Sequence, residues 1–439
     1  MKQALIPTLA RDPTPGPSPS GEGSRTFANL PLRMAPLSRR IMRLKRRRTG
    51  DGVWRLAVFL TLLLLAPTAQ AQRLLDFPYA DSLTETLASH QRWAALDSVG
   101  RLALALGTDY PALRRRLGAG ALARGRTAAA QRHYEAALRA NPLDTTARTG
   151  LVASYLAVNQ VGPAALLARH LPDSLRRALR LAPSRAITYI EVEASSIQTD
   201  ERRRGAATFG RLGVGSRLSP RLSLSQSVSF YRQEIELARH GYPGQADDRA
   251  IGQTQYQALL LTQLAPRWQL KAGYHYISQS TNHLGYLALA YARPVLVAQA
   301  GLYAGTLTDT ARVQADLRLT VFPLGRPGFY AFGRASVVGS GGNAFPNFLL
   351  GAGGRLRPWL WAEAWGSAGR VPVLAEADGT YVYNLFDTLG RRAGASLLIL
   401  GPQRLSLRLS GIAERRLLAD YYPTTYTLYS LTARLAWTW

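Results

Sequence analysis

The sequence predicts an α+β chain of two parts: a short α-helical region followed by an antiparallel transmembrane β-barrel of about 14 strands, with 12 or 16 also compatible. Three observations predict it. Apolar residues recur with a spacing near 3.6 over residues 73–184, and the period changes to two from Arg185 onward. Between the two-period runs, tight turns bearing Pro or Arg alternate with longer, more variable connections. The last run is alternating and closes on Trp437-Thr438-Trp439.

Taken in order, residues 1–41 fit no folded element. Pro13-Thr14-Pro15-Gly16-Pro17-Ser18-Pro19-Ser20-Gly21 is low in complexity and cannot pack a core. This stretch reads as an untranslated or disordered leader, with translation starting at Met42 or Met34. Residues 42–71 read as a secretory signal peptide. Arg43, Lys45, Arg46, Arg47, Arg48 and Arg55 precede an apolar run from Leu56 to Ala66, and Ala69 and Ala71 supply the A-x-A pattern for cleavage after Ala71. The run is shorter than the roughly 20 apolar residues of a spanning helix.

The chain of 439 residues is long enough for two domains and has no Cys, so disulfides and thiolate metal sites are excluded. Its formal net charge is +27, of which residues 1–72 carry 12 Lys/Arg against 3 Asp/Glu. The basic residues are nearly all Arg and are scattered over turns and strand faces, so no nucleic-acid partner is expected. Anionic lipid headgroups or acidic polymers suit that charge better.

Residues 73–184 are rich in Ala, Leu and Arg. Counting from Pro111, Leu117 and Gly118 stand at positions 7 and 8, Ala130 at 20, Tyr134 at 24, Ala137 at 27 and Pro142 at 32. This pattern resembles a tetratricopeptide repeat, in which small residues let two antiparallel helices pack closely and a proline follows the second. Arg114 and Ala121 depart from it at positions 4 and 11. Trp93 and Leu96 fit a degenerate repeat before this one, and Tyr155, Ala164 and Ala168 one after it. The resemblance implies a short array over 77–180 that binds a periplasmic protein; an ordinary bundle of helical hairpins is the alternative.

From residue 185 to 439 the runs are about ten residues long, as a tilted membrane strand requires. Ile187, Tyr189, Glu191 and Glu193 alternate with Thr188, Ile190, Val192 and Ala194; Gln314, Asp316, Arg318 and Thr320 alternate with Val313, Ala315, Leu317 and Leu319. Tight turns fall at 219–221, 265–267, 292–294, 325–327, 356–358 and 401–404. Longer connections are expected near 198–204, 236–250, 280–283, 307–311, 339–346, 371–391 and 419–425. In the last strand Tyr429, Leu431, Ala433, Leu435, Trp437 and Trp439 share the lipid face. Ser430, Thr432, Arg434, Ala436 and Thr438 share the polar one.

Trp437 and Trp439 make this ending resemble the C-terminal assembly signal of bacterial outer-membrane barrels. That resemblance implies a Gram-negative outer membrane, lipid contact and the barrel-assembly machinery as partner. A signal peptide, a short tetratricopeptide-like region and a C-terminal barrel together resemble the YaiO-type outer-membrane β-barrel family. Exopolysaccharide-export porins are similar in the order of their parts, which makes a polysaccharide a candidate cargo.

Nothing in the chain orders a Ser, a His and an acid as a hydrolase needs, so no catalytic residue, enzyme activity or cofactor is expected. His275 and His283 share a hairpin without any further ligand spacing, so no metal site is expected. Glu191, Arg211, Lys271, Asp316, Arg318, Arg334, Arg408 and Arg434 are the lumen candidates. Glu191 and Glu193 are expected to balance Arg211 and Arg434, and Lys271, Arg318, Arg334, Arg408 and Arg434 to favour an anionic cargo. Trp359, Trp361, Glu363 and Trp365 share one strand face. Facing inward, Trp359, Trp361 and Trp365 would make a stripe for stacking a saccharide. The preferred reading puts Trp359 and Trp361 in the aromatic girdle, with Glu363 finding a partner through a local bulge. The function expected is thus a non-enzymatic barrel that passes or helps export a polar solute. An anchored scaffold with a plugged barrel is the alternative, and an outer-membrane lipid-modifying enzyme or hydrolase a remoter one.

Overall fold

A computed structural model describes residues 76–439 apart from 180, 182–183, 239–245, 279–281, 326–327, 384–386 and 419–423. Residues 1–41 and 42–71, expected as a leader and a signal peptide, lie outside these residues.

Among the described residues seven helices come first: α1 (Phe77–Ser89), α2 (Trp93–Ala105), α3 (Pro111–Ala123), α4 (Thr127–Ala140), α5 (Thr145–Leu156), α6 (Val161–Ala168) and α7 (Asp173–Ala178). Pro111 starts α3 at a position where its missing N–H costs nothing, and the Asp144 side chain caps α5 by accepting from the Ala147 amide at 2.9 Å. Each helix from α1 to α5 packs on the next, α1 also touches α3, and α3 touches α5. Contact with the next neighbour but one is the habit of stacked helix pairs. Close approach is enforced by glycine. A Cβ on Gly118 would meet the Tyr134 ring at 2.8 Å, and one on Gly150 would overlap the same ring. Leu117, Ala130, Tyr134 and Ala137 are buried, whereas Pro142 is exposed just beyond α4.

The remainder is a closed antiparallel barrel of fourteen strands. They are β1 (Arg185–Thr199), β2 (Arg204–Arg217), β3 (Leu222–Ala238), β4 (Ala246–Ala265), β5 (Trp268–Ile277), β6 (Asn282–Arg293), β7 (Leu296–Leu307), β8 (Thr310–Val321), β9 (Phe329–Ser340), β10 (Asn343–Arg357), β11 (Leu360–Ala368), β14 (Thr388–Leu400), β15 (Leu405–Leu417) and β16 (Thr425–Thr438). The two remaining strands, β12 (Leu374–Glu376) and β13 (Tyr381–Tyr383), form a hairpin outside that cycle. Closure is made by β1 against β16, from Tyr189 opposite Thr438 to Thr199 opposite Leu428, so no edge is left unpaired.

Alternation sorts the side chains. Leu212, Phe230, Leu302, Leu317, Leu350 and Leu431 stand exposed on the outer face, Leu350 at 73%. Trp268, Phe329, Trp359, Trp437 and Trp439 are exposed at one end of the barrel, and Trp437 stacks on Trp439 with ring centroids 5.0 Å apart. The same end carries the helices. Arg267 in the β4–β5 turn reaches Glu135 of α4 at 2.7 Å, Thr127 donates to the Gly325 carbonyl at 3.0 Å, and α6 packs on β4.

Several connections at the far end are shorter than their sequence suggests. Residues 339–346 continue β9 into β10, with Asn343 opposite Ser340, because Gly341 and Gly342 both take positive φ and close a two-residue turn. Thr308 and Asp309 do the same between β7 and β8 at φ of 54° and 57°. Segment 371–391, expected as a loop, instead supplies β12 and β13 and the start of β14.

The placement of Trp361 in the aromatic girdle is also overturned. Trp361 is 2% exposed and packs inward with Tyr330, Phe332, Leu349 and Leu398, while Trp359 alone points out, from the turn. Period-two geometry keeps residues 361, 363 and 365 on one face, and Glu363 decides which face, since a carboxylate in hydrocarbon is costly. Tyr330 donates to Glu363 at 2.7 Å.

Candidate functional site

The lumen holds a structure of its own. The connection from β11 to β14 folds back into the barrel as the β12–β13 hairpin, with Leu374 opposite Tyr383 and Glu376 opposite Tyr381. Ala377, Asp378 and Gly379 turn it over with φ of 50°, 58° and 82°. Asp-Gly flanked by alternating Leu374-Ala375-Glu376 and Tyr381-Val382-Tyr383 is the short-range pattern that could have revealed it.

Apolar burial draws the hairpin against one wall. Ile277, Leu284, Tyr286, Tyr303 and Leu307 face inward on β5 to β7, and Val373, Ala375 and Val382 cover them. Val371, Leu374 and Tyr383 join Val338 and Leu389 in a second cluster. Removing one large apolar side chain from water is worth about 1.5–3 kcal/mol, so an uncovered wall of this kind would be costly in a water-filled lumen.

Polar bonds then fix its position. The Gln314 side chain behaves like a neighbouring strand, accepting from the Ala375 amide at 2.9 Å and donating to its carbonyl at 2.8 Å. Glu376 receives the fork of Arg392 at 2.7 and 3.0 Å and is also bonded to Arg334. Arg392 further donates to the Tyr383 hydroxyl at 2.9 Å and lies over the Trp365 and Tyr383 rings. Asp378 takes Lys271 at 2.7 Å, the Tyr286 hydroxyl at 2.7 Å and the Gln299 amide at 2.8 Å, with Arg318 at 3.5 Å. At the base of the segment Asp387 is gripped by Arg204 at 2.7 and 2.9 Å and by Tyr426 at 2.7 Å.

The hairpin reaches deep. Lys271 and Gln299 are the fourth residues of β5 and β7, and Arg318 is fourth from the end of β8, all counted from the end that carries the helices. Asp378, entering from the opposite end, is therefore held well past the middle of the wall. Between the hairpin and β1 to β4 a cavity of about 70 Å³ remains, lined by Ser195, Phe209, Tyr231, Gln253 and Gln255, with Tyr381 and Tyr383 on the hairpin side. Tyr381 donates to Glu193 at 2.7 Å across its floor.

Of the sequence-derived lumen residues, Glu191, Arg211, Lys271, Asp316, Arg318, Arg334 and Arg408 are buried on the inner face, and Arg434 is partly buried. Arg211 sits between Glu191 at 2.6 Å and Glu193 at 3.1 Å, and Arg434 pairs with Glu191. The cations expected to attract anionic cargo are thus already engaged: Lys271 and Arg318 by Asp378, Arg334 by Glu376 and Arg434 by Glu191. Arg408 lies 3.4 Å from Ser396. The Trp359, Trp361 and Trp365 stripe is divided, with Trp359 outside, Trp361 covered and Trp365 beneath Arg392. His275 and His283 fall on opposite faces of the sheet. His275 is buried and donates from Nδ1 to the Gly379 carbonyl at 2.5 Å, and His283 is exposed beside Tyr274. No group of three or more potential metal ligands occurs among the described residues.

No protein-family profile matches the chain, and no curated protein matches it. Solved structures similar to it include a "Bacterial polysaccharide outer membrane secretin", at 10% identity over 58% of this chain and 99% of that one, with a TM-score of 0.35. An "Anion-selective porin from Comamonas acidovorans" aligns at 10% identity over 57% of this chain and 98% of that one, with a TM-score of 0.32. A "TodX monoaromatic hydrocarbon channel deltaS2 mutant" aligns at 8% identity over 60% and 92%, with a TM-score of 0.39.

Proposed function

We propose that the chain is a non-enzymatic outer-membrane barrel of a Gram-negative bacterium, a channel or export component for a polar solute whose passage its own hairpin restricts. The observation that carries this reading is the two-sided closed sheet. Its outer face presents apolar side chains bounded by Trp and Phe, and its inner face is charged and amide-rich. Short turns and helices share one end, so that end faces the periplasm in this reading, with 73–184 presenting a surface to a protein partner. The YaiO-type resemblance and the tetratricopeptide-like spacing support the same arrangement, as does the stacking of α1 on α3 and α3 on α5.

A specific observation favours a second reading. Glu376, Asp378 and Asp387 are each held by more than one wall group, so the hairpin could be a permanent plug and the barrel an anchor for the helices. Conductance of the full chain in a planar bilayer separates the two. The channel reading expects small conducting steps in the native chain and a several-fold larger step when residues 372–383 are replaced by a short Gly-Ser turn. A native chain that never conducts, with or without an added polycarboxylate, while the replacement does leaves only the anchor. Silence from both folded proteins defeats the channel.

A further inference from the structure

We propose that Glu376 and Asp378 are a tethered stand-in for the ligand, and that Lys271, Arg318, Arg334 and Arg392 form a site for a solute carrying two or more carboxylates. The proposal names a substrate class for the channel read above and so rests on that reading. Four cations from β5, β8, β9 and β14 converge on two carboxylates set two residues apart in the chain. Arg392 meets Glu376 fork to fork, the geometry by which guanidinium recognises carboxylate.

The site is built for more anion than the hairpin supplies. Arg318 lies directly opposite Arg334 across β8 and β9, and like charges so placed repel unless an anion lies between or beside them. Both are buried, yet Nε and Nη2 of Arg318 and Nε and Nη1 of Arg334 have no hydrogen-bond partner among the described residues. Those donors can serve further carboxylate oxygens. Asp316 is the wall carboxylate beside them, and Gln314 holds one of its oxygens at 2.9 Å. Tyr286 and Gln299, which orient Asp378, can orient an incoming carboxylate in the same way.

Exchange then follows. When the solute's carboxylates take the four cations, Glu376 and Asp378 are released to water and the hairpin loses its ion-pair hold on the wall, keeping its apolar contacts and the bonds from Gln314 and His275. The number of ion pairs in the lumen stays the same, so the ligand opens its own path without stranding a buried charge. A free di- or tricarboxylate and adjacent residues of an acidic polysaccharide present the same chemistry.

Calorimetric binding to the full chain in zwitterionic detergent tests this, with tricarballylate and tri-galacturonate as probes and glucose as the neutral control. The hairpin competes in the native protein, so Asp378→Asn and E376Q/D378N are expected to bind the carboxylate probes about tenfold tighter or more. R334Q/R392Q is expected to lose binding, and glucose to give none. Equal affinity in native and D378N protein, or glucose bound as well as tricarballylate, overturns the proposal. Tighter binding of tri-galacturonate assigns the polymer as source, and tighter binding of tricarballylate the free acid. Should the double variant not fold, D378N alone carries the measurement. Binding of this pattern in a barrel that passes no current keeps the site and removes only the channel.

Discussion

Gly118 and Tyr134 show how much one side chain decides in the helical region. The tyrosine ring fills the space that a Cβ on Gly118 or Gly150 would need, so α3, α4 and α5 approach one another only because both positions lack one. Gly118→Ala is expected to destabilise the helices by about 1–3 kcal/mol through overpacking, read as a lower midpoint in the thermal loss of helical circular dichroism. His133 sets a pH response in the same region. Burial, then Arg114 and Arg132, lower its pKa from the ordinary 6.5 to about 4, and Arg114 donates to its Nδ1 at 3.3 Å. The unfolded chain takes up that proton near pH 6.5 and the folded one refuses it until about pH 4. Stability is therefore complete above pH 6.5 and falls as pH drops from 6.5 toward 4. His133→Gln is expected to flatten this slope in a thermal-denaturation series over that range. An unchanged slope would overturn this assignment to His133; Asp109 and Asp81, whose carboxyls Arg114 and Arg116 hold below the ordinary 3.8, respond only at lower pH.

At the scale of elements, the hairpin of β12 and β13 explains why the inner wall is not uniformly polar. Ile277, Leu284 and Leu307 would break the rule of a wet interior if that segment stayed outside. Burial of their side chains draws it in, and the ion pairs of Glu376, Asp378 and Asp387 choose its register. This element was legible in part. The Asp378-Gly379 turn and its alternating flanks stand in the sequence, but nothing local says that they point down the lumen. That follows from which residues of β5 to β9 face them across the barrel. The Trp361 strand repeats the point. Its alternation was readable, whereas its inward direction depended on the partner that Tyr330 offers Glu363 across the sheet.

For the whole molecule, the decisive contrast is between the two faces of one sheet. Leu350 lies near the middle of β10, 73% exposed on the outer face, where a soluble barrel would tolerate almost any polar residue. In a bilayer, Leu350→Arg is expected to cost about 2–4 kcal/mol. Urea unfolding from lipid vesicles should show that loss, and a variant as stable as the parent would mean the belt does not meet hydrocarbon. The helices bear on the opposite issue. Arg267 to Glu135 and Thr127 to Gly325 seat them on the turns, but such part-exposed bonds contribute little each, so the seating depends on several contacts together.

The change of period near Arg185, the alternation that makes each strand two-sided and the aromatic end of β16 can be read directly along the chain. These are local properties, fixed by which residue follows which. That the β11–β14 connection enters the barrel, and that Asp378 neutralises Lys271 and Arg318 from distant points of the sequence, follows from the folded arrangement alone. Closure of the sheet brings distant strands onto one lumen, and a charge is matched there by whatever that closure sets opposite it.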